Sequence, residues 1–71
     1  MSTAKPYYLE IADKIAALIR RGRLKPGDRL PSTAELAAEY EVSVATAYRA
    51  VRELHQRNLV LGRRGKGVYV A

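Results

Sequence analysis

Two helices separated by only three residues are the feature that most restricts what this chain can fold into. The segment "STAE", residues 32–35, predicts a capping box, in which the Ser32 hydroxyl accepts from the Glu35 N–H and the Glu35 carboxylate accepts from the Ser32 N–H. Apolar residues at helical spacing then cover about two turns before "EVS" interrupts them: Leu36, Ala37 and Tyr40. We therefore predict a brief helix over residues 33–40.

A longer helix follows almost at once. Ser43 can cap a helix over residues 44–57, because the apolar residues after it recur at helical spacing: Ala47, Ala50, Val51 and Leu54. The outer face of this helix is polar. A short helix, a tight turn and a longer helix of this kind predict a helix-turn-helix.

The N-terminal part of the chain predicts a further helix over residues 6–21. Its apolar residues form one stripe at spacings of three and four: Tyr8, Ile11, Ala12, Ile15, Leu18 and Ile19. Pro6 suits the first turn, where its missing N–H costs nothing, and Gly22 suits the C-terminal stop.

The remaining segments predict a small amount of β structure. The Pro-Gly pair at residues 26–27 favours a type II turn, and one short strand is expected around residues 29–30. Asn58 can end the last helix in the left-handed conformation, so residues 59–70 form a hairpin, or wing. Its tip holds three cations among three glycines: Arg63, Arg64 and Lys66, with Gly62, Gly65 and Gly67.

These elements predict a mainly α fold with a small β-hairpin, namely a winged helix-turn-helix of three helices plus a two- to three-stranded antiparallel wing sheet. We expect residues 1–71 to form a single domain and residues 1–5 to be disordered. The chain has 71 residues and no cysteine, so neither disulfides nor zinc thiolates supplement its small core. Its longest uncharged run is seven residues, far below the roughly 20 that span a membrane. With no leader-like start, we expect a cytoplasmic protein.

The net charge of +6 is unevenly distributed. Residues 1–41 hold seven Lys/Arg against six Asp/Glu, whereas residues 42–71 hold six against one. A one-sided cationic surface favours a polyanionic partner, most commonly nucleic acid. The alternative is a surface tuned only for solubility.

The polar face of the last helix contains the candidates for contact with duplex DNA, because the major groove admits a helix and displays a distinct pattern for each base pair. They are Val44, Ala45, Tyr48, Arg49 and Arg52, with Ser43 and Thr46 placed for phosphate oxygens near the helix N-terminus. The arginines can reach phosphates or guanine edges, whereas Val44 and Ala45 can touch only apolar features such as the thymine methyl. The structural alternatives are local packing for the two apolar residues and a solvated face for the arginines.

The hairpin tip is predicted to lie beside that helix and meet the flanking backbone or minor groove. The residues concerned are Arg63, Arg64, Gly65, Lys66 and Gly67. Glycine there would let the chain approach phosphates without a Cβ clash. The alternative is an ordinary exposed hairpin whose basic residues protect a sheet edge.

Over nearly its whole length the chain resembles the DNA-binding domain of GntR-family bacterial transcription regulators. The matching segments are "PYYLEIADKIAALIRRGRLKPGDRLPS", "ELA", "VS-AT", "R-L" and "GKGVYV". The resemblance implies a winged helix-turn-helix that binds palindromic operators as a homodimer, usually as the N-terminal part of a regulator whose C-terminal domain senses a small molecule. It also adds Thr33 and Ala34, at the start of the second helix, to the candidate DNA contacts.

The sequence departs from the family pattern at several positions. The family commonly has arginine where this chain has Ala34, Val44 and Tyr48, and those arginines typically contact bases and phosphates. The departures put the family's usual operator sequence in doubt and suggest recognition through thymine methyls and DNA shape. Glu41 stands where such turns often favour glycine, so we expect a slightly strained or differently shaped turn.

The chain stops at Ala71, directly after the wing, so we expect either an excised domain or a natural stand-alone binder. A module of this size buries only roughly 600 to 1,000 Å² on DNA. We therefore expect weak binding by one copy, unless two copies pair on a two-fold site with half-sites about 34 Å apart.

Three other classes of function compete with DNA binding. A winged-helix protein-interaction module would use the exposed helix face for a protein contact, but the basic C-terminal half argues against it. A membrane-surface helix over residues 6–21 is opposed by Glu10 and Asp13 and by the lack of Trp or Phe anchors. An enzyme is opposed by a single histidine, His55, and no evident cleft. No cofactor or metal is expected.

Overall fold

The computed structural model describes residues 6–71, and the expectation that residues 1–5 are disordered lies outside that range. Within the described residues the chain forms three α-helices followed by two β-strands. They are α1 (Tyr7–Arg20), α2 (Thr33–Tyr40), α3 (Val44–Gln56), β1 (Val60–Arg63) and β2 (Gly67–Val70).

The ends of α1 and α3 correct the predicted bounds by single residues. Pro6 is the N-cap of α1, because its ψ of 138° is extended and the helix begins only at Tyr7. Arg21 and Arg57 are C-caps rather than helical residues, so α1 ends at Arg20 and α3 at Gln56. Each of these caps donates its N–H back into the last turn of its own helix, which closes the helix there.

The predicted caps of α2 and α3 are confirmed. The Glu35 N–H donates to Ser32 Oγ at 3.1 Å and the Ser32 N–H donates to Glu35 Oε1 at 2.8 Å, completing the capping box. Ser43 Oγ accepts the Thr46 N–H at 3.1 Å and so begins α3. Between the helices, Glu41 is in the left-handed region with φ 56° and ψ 49°. Residues with a Cβ adopt that region at a cost, so the expectation of a slightly strained turn stays a prediction.

All three helices contribute to one apolar core. The predicted inward face of α3 is buried in full, and it packs against α1 on one side and α2 on the other. Leu30, from the loop before α2, and Val60 and Val70, from the hairpin, complete the core. Of the predicted α1 stripe, Ile11, Ala12 and Ile15 are buried, while Tyr8 and Ile19 are half-buried and pack against the core.

The wing sheet has two full strands and one bridging residue. β1 and β2 pair antiparallel, with Val60 opposite Val70 and Arg63 opposite Gly67. The short strand expected at residues 29–30 is a single bridge, Arg29 opposite Tyr69, held by Leu30 N–H to Val68 O and Val70 N–H to Asp28 O, both 2.8 Å. Each helix within residues 6–71 is too short or too polar to span a bilayer.

Candidate nucleic-acid interface

The outer face of α3 is exposed from its first turn to its third. The apolar side chain of Val44 is 56% exposed, and the aromatic side chain of Tyr48 is 57% exposed. Ala45, Arg49 and Arg52 are exposed as well. The fold therefore leaves all five predicted groove residues on the surface, because the buried positions of α3 are taken by its apolar stripe.

The polar residues at the N-terminus of α3 are engaged with each other. The Ser43 hydroxyl accepts the Thr46 N–H and also donates to Thr46 Oγ1 at 3.0 Å. Ser43 is exposed and Thr46 is half-buried. The first turn of α3 thus presents its cap hydroxyls close to the exposed Val44 and Ala45.

The start of α2 contributes Thr33, which is half-buried, and Ala34, which is exposed. The backbone and hydroxyl of Ser32 both bond to Glu35 and hold the pKa of that carboxyl below its ordinary value. Ala34 offers only a methyl group at this position. Its side chain therefore has no hydrogen-bond donor for a ligand.

The hairpin tip is exposed along its whole length, from Arg63 to Gly67. Its turn is closed by the Lys66 N–H, which donates to Arg63 O at 2.9 Å. Gly65 and Gly67 have φ of 72° and 113°, a region that residues with a Cβ rarely adopt. The glycines are therefore required by the turn itself, in addition to any approach to a ligand.

The hairpin lies next to the last turn of α3. Asn58, with φ 61°, reverses the chain after α3 as predicted, and its N–H donates to His55 O at 3.0 Å. A Cβ placed on Gly62 would lie 3.8 Å from His55 Cε1, so β1 passes directly beside the helix. The first strand of the hairpin thus contacts the C-terminal end of α3.

Five cations on α3 and the tip lack a carboxylate partner within residues 6–71: Arg49, Arg52, Arg63, Arg64 and Lys66. Arg57 differs from them. Its Nε donates to Glu53 at 2.9 Å and its Nη1 to Asp13 at 2.9 Å, and these bonds, the one to Glu53 first, raise its pKa. Arg57 therefore ties α3 to α1, while the other five leave their charge on the surface.

Sequence reasoning missed the contacts that orient two of these cations. The Arg49 guanidinium stacks on the ring of Tyr8 of α1, 5.2 Å from its centroid, and both line an open groove of about 190 Å³ with Arg52, Glu53 and Gln56. The Arg63 guanidinium stacks on Tyr69 at 5.4 Å. Tyr8 was assigned only to the apolar stripe, because spacing along α1 does not reveal which helix its ring meets.

The three helices, the tight turn between α2 and α3, and the hairpin beside α3 define a winged helix-turn-helix, as the sequence predicted. A family model described as "Bacterial regulatory proteins, gntR family" matches residues 7–70, and the chain therefore belongs to the GntR family. The predicted resemblance is confirmed. Because the family consists of regulatory proteins and similar proteins are named as repressors, the expectation that the chain is not an enzyme is confirmed on those grounds.

Two relatives and one solved structure illustrate the likeness. The chain is 44% identical over 66 residues to the mannosyl-D-glycerate transport/metabolism system repressor MngR of Escherichia coli (strain K12), covering 93% of this chain and 28% of that protein. It is 41% identical over 69 residues to the uncharacterized HTH-type transcriptional regulator YhcF of Bacillus subtilis (strain 168), covering 97% of this chain and 57% of that protein. The chain thus spans only part of the length of these relatives.

The solved structure is that of AraR(DBD) in complex with operator ORR3. The superposition covers 100% of the present chain and 86% of the AraR(DBD) chain, with a TM-score of 0.92 and 27% sequence identity. The helices and hairpin of the present chain therefore have the same arrangement as those of a domain solved on its operator.

Proposed function

We propose that this chain is the sequence-specific DNA-binding part of a bacterial transcription regulator, with α3 in the major groove of duplex DNA and the hairpin tip on the flanking backbone or minor groove. The observation that carries the proposal is the set of five exposed cations without carboxylate partners on α3 and the adjoining tip. A polyanion would supply the missing counter-charges. The likeness to a domain solved with its operator supports the same ligand.

The candidate contact residues of α3 and its N-cap divide into three groups by chemistry. Val44 and Ala45 offer only apolar surface, which favours contact with thymine methyl groups, and Tyr48 adds one hydroxyl that can bond to a phosphate or a base edge. Arg49 and Arg52 supply charge for phosphates or guanine edges. Ser43 and Thr46, at the helix N-terminus, are proposed to meet a phosphate.

The tip and the start of α2 complete the proposed contact surface. Arg63, Arg64 and Lys66 meet phosphates or the minor groove, and the backbone at Gly65 and Gly67 can approach closely. Thr33 and Ala34, at the start of α2, are proposed to lie at the edge of this surface. Since no arginine is present at Ala34, Val44 or Tyr48, the target is proposed to differ from the operators typical of the family.

The proposed target is a palindromic operator bound by two copies of the chain in the cytoplasm. One copy presents only one helix and a hairpin tip, which bury roughly 600 to 1,000 Å² on DNA. Two copies on inverted half-sites about 34 Å apart would double that area. Selection of bound duplexes from a random pool tests this proposal: an inverted repeat with that spacing is expected, and enrichment of isolated half-sites would contradict it.

A salt titration of DNA affinity tests the proposed function itself. Affinity measured by fluorescence anisotropy on a selected duplex should fall steeply with salt, with a log–log slope of about −0.9 per phosphate contacted. Arg49→Ala and Arg52→Ala should weaken binding. Lys66→Ala should weaken it nearly equally for all sequences and reduce the slope by about 1.

The matched control is Arg20→Ala, which removes the same charge from an exposed position at the C-terminal end of α1. The contact between Asp13 and Arg57 joins α1 to the end of α3. Arg20 lies two helical turns further along α1 than Asp13. This variant should retain most of the wild-type affinity. A flat salt titration, or equal losses in the control and the interface variants, would contradict the proposal and favour a protein-interaction module.

A further inference from the structure

Arg29 is joined to the wing although it belongs to the loop before α2. Its backbone is bridged to Tyr69 of β2, and the next residue, Leu30, is anchored in the core at 2% exposure. From this fixed base the side chain extends along β2, and its Nε donates to Lys66 O at the hairpin tip, 3.3 Å away. One side chain thus connects the core to the tip.

Gly67 provides the space for this connection. Gly67 lies two residues before Tyr69 on β2, so the two residues face the same side of the sheet. Tyr69 is the residue that is paired with Arg29. A Cβ on Gly67 would lie 3.0 Å from Arg29 Nε, 3.5 Å from its Nη2 and 3.7 Å from its Cζ. The guanidinium therefore occupies the place that a side chain at residue 67 would take.

The same carbonyl receives a second donor. The Tyr69 hydroxyl donates to Lys66 O at 3.3 Å, and the Tyr69 ring also supports the Arg63 guanidinium. Two side chains based on the sheet thus converge on one backbone oxygen in the turn, which is also closed by the bond from Lys66 N–H to Arg63 O.

We propose that Arg29 is a positioning residue for DNA binding: by holding the Lys66 carbonyl, it fixes the glycine-containing tip in the orientation in which Arg64 and Lys66 meet the DNA backbone. This inference rests on the proposed DNA-binding function. A tip that is ordered before binding loses less conformational freedom on the DNA, so the affinity is higher without an added contact.

The test compares Arg29→Gln with Arg29→Met. Both variants remove one positive charge, but glutamine places an N–H donor the same number of bonds from the backbone as Arg29 Nε, whereas methionine has a similar length and no donor. Affinity for the selected duplex should fall about three- to tenfold in Arg29→Met, as expected for one lost hydrogen bond, and clearly less in Arg29→Gln. Equal affinities of the two variants would overturn the proposal.

A second comparison shows whether Arg29 acts through the tip. In a chain with Arg63→Gln, Arg64→Gln and Lys66→Gln, the tip has no cations to position, so the difference between the methionine and glutamine variants should disappear. A difference that persists in this background would mean that residue 29 contacts DNA itself or acts through the core, and the proposal would be wrong.

A measurement without DNA separates this inference from the proposed function. Order parameters of the Lys66 and Gly67 amides should fall in Arg29→Met and stay at wild-type values in Arg29→Gln. Unchanged order in both variants would overturn the proposed positioning role even if wild-type DNA binding is confirmed. Absence of wild-type DNA binding would instead contradict the proposed function, while the order parameters would still report on the contact.

Discussion

Glu41 shows at the scale of one residue how the helix-turn-helix accommodates an unfavourable backbone. It closes α2 with φ 56° and ψ 49°, and its N–H donates to Ala38 O at 3.4 Å. The next N–H, of Val42, donates to Ala37 O at 3.0 Å. These bonds satisfy the end of the helix, so the left-handed residue is retained despite its Cβ.

Replacing Glu41 by glycine should therefore stabilise the fold. Glycine adopts the left-handed region without the cost that a Cβ imposes, and the free energy of unfolding should rise by about 1 kcal/mol. Urea denaturation measures the change. The matched control is Glu39→Gly, which makes the same exchange at an exposed position inside α2 and should lower the stability by about 1 kcal/mol. Losses in both variants would show that the turn is not strained.

Individual residues also mark the limit of prediction from sequence. The left-handed conformation of Asn58 was predictable, because the signals that end a helix lie within a few residues of one another, whereas at Glu41 only a slightly strained or differently shaped turn was expected. The contact of Arg29 with Lys66 joins residues 37 positions apart, and no local pattern indicates it. Only the "GKG" segment gave a hint, since a glycine at residue 67 has room for a neighbouring side chain.

At the scale of elements, α2 and α3 begin with different caps. In α2 the Ser32 hydroxyl and the Glu35 carboxylate each accept a backbone N–H. In α3 the Ser43 hydroxyl accepts the Thr46 N–H, and Thr46 supplies no carboxylate in return. The cap of α2 therefore includes a titrating group and the cap of α3 does not.

This difference predicts that the effect of a cap substitution depends on pH in α2 and is independent of pH in α3. The bonds from Ser32 lower the pKa of Glu35 below its ordinary value of 4.5 in the folded state. A carboxylate whose pKa is lower in the folded state than in the unfolded state stabilises the fold at pH values above its unfolded-state pKa. That stabilisation is lost as the pH falls through the folded-state pKa. The stability difference between wild type and Glu35→Gln should be present at neutral pH and shrink below pH 4.5.

The control is Ser43→Ala, which should cost about 1 kcal/mol at every pH because no charge takes part in that cap. Urea unfolding at neutral and acidic pH measures both variants. A Glu35→Gln difference that stays constant on acidification would show that the carboxylate charge does not stabilise α2.

The helices were predictable to within one residue at their ends, and the short strand expected at residues 29–30 was located correctly, but its reduction to a single bridge was not predictable. Caps and apolar spacing are local, so they appear in the sequence around α2 and α3. The bridge between Arg29 and Tyr69 depends on how the loop before α2 meets the hairpin, which only tertiary packing decides. Likewise, the sequence identified the exposed face of α3 but not the partners of Arg49 and Arg63.

At the scale of the whole molecule, positive charge is concentrated in the C-terminal part of the sequence, where residues 42–71 hold six Lys/Arg against one Asp/Glu. Five cations on α3 and the tip lack carboxylate partners within residues 6–71, whereas Arg57 is paired with both Asp13 and Glu53. Charges of one sign close together repel each other in the folded state, and the repulsion is screened by salt. The same charges attract a polyanion, and salt weakens that attraction.

Stability and DNA affinity should consequently respond to sodium chloride in opposite directions. The free energy of unfolding should rise by about 0.5 kcal/mol between low and physiological salt, because salt screens the repulsion between the cations. Salt also weakens exposed ion pairs such as those of Arg57, but these contribute little to stability. Over the same range the affinity for a selected duplex should fall. Urea unfolding and fluorescence anisotropy in matched buffers measure the two quantities.

In a variant with Arg64→Gln and Lys66→Gln, both responses should be smaller, because the tip then has fewer charges to screen and fewer to contact phosphates. A wild-type stability that falls with salt would mean that ion pairs outweigh the repulsion and that the cations are not clustered in the way that the proposed interface requires.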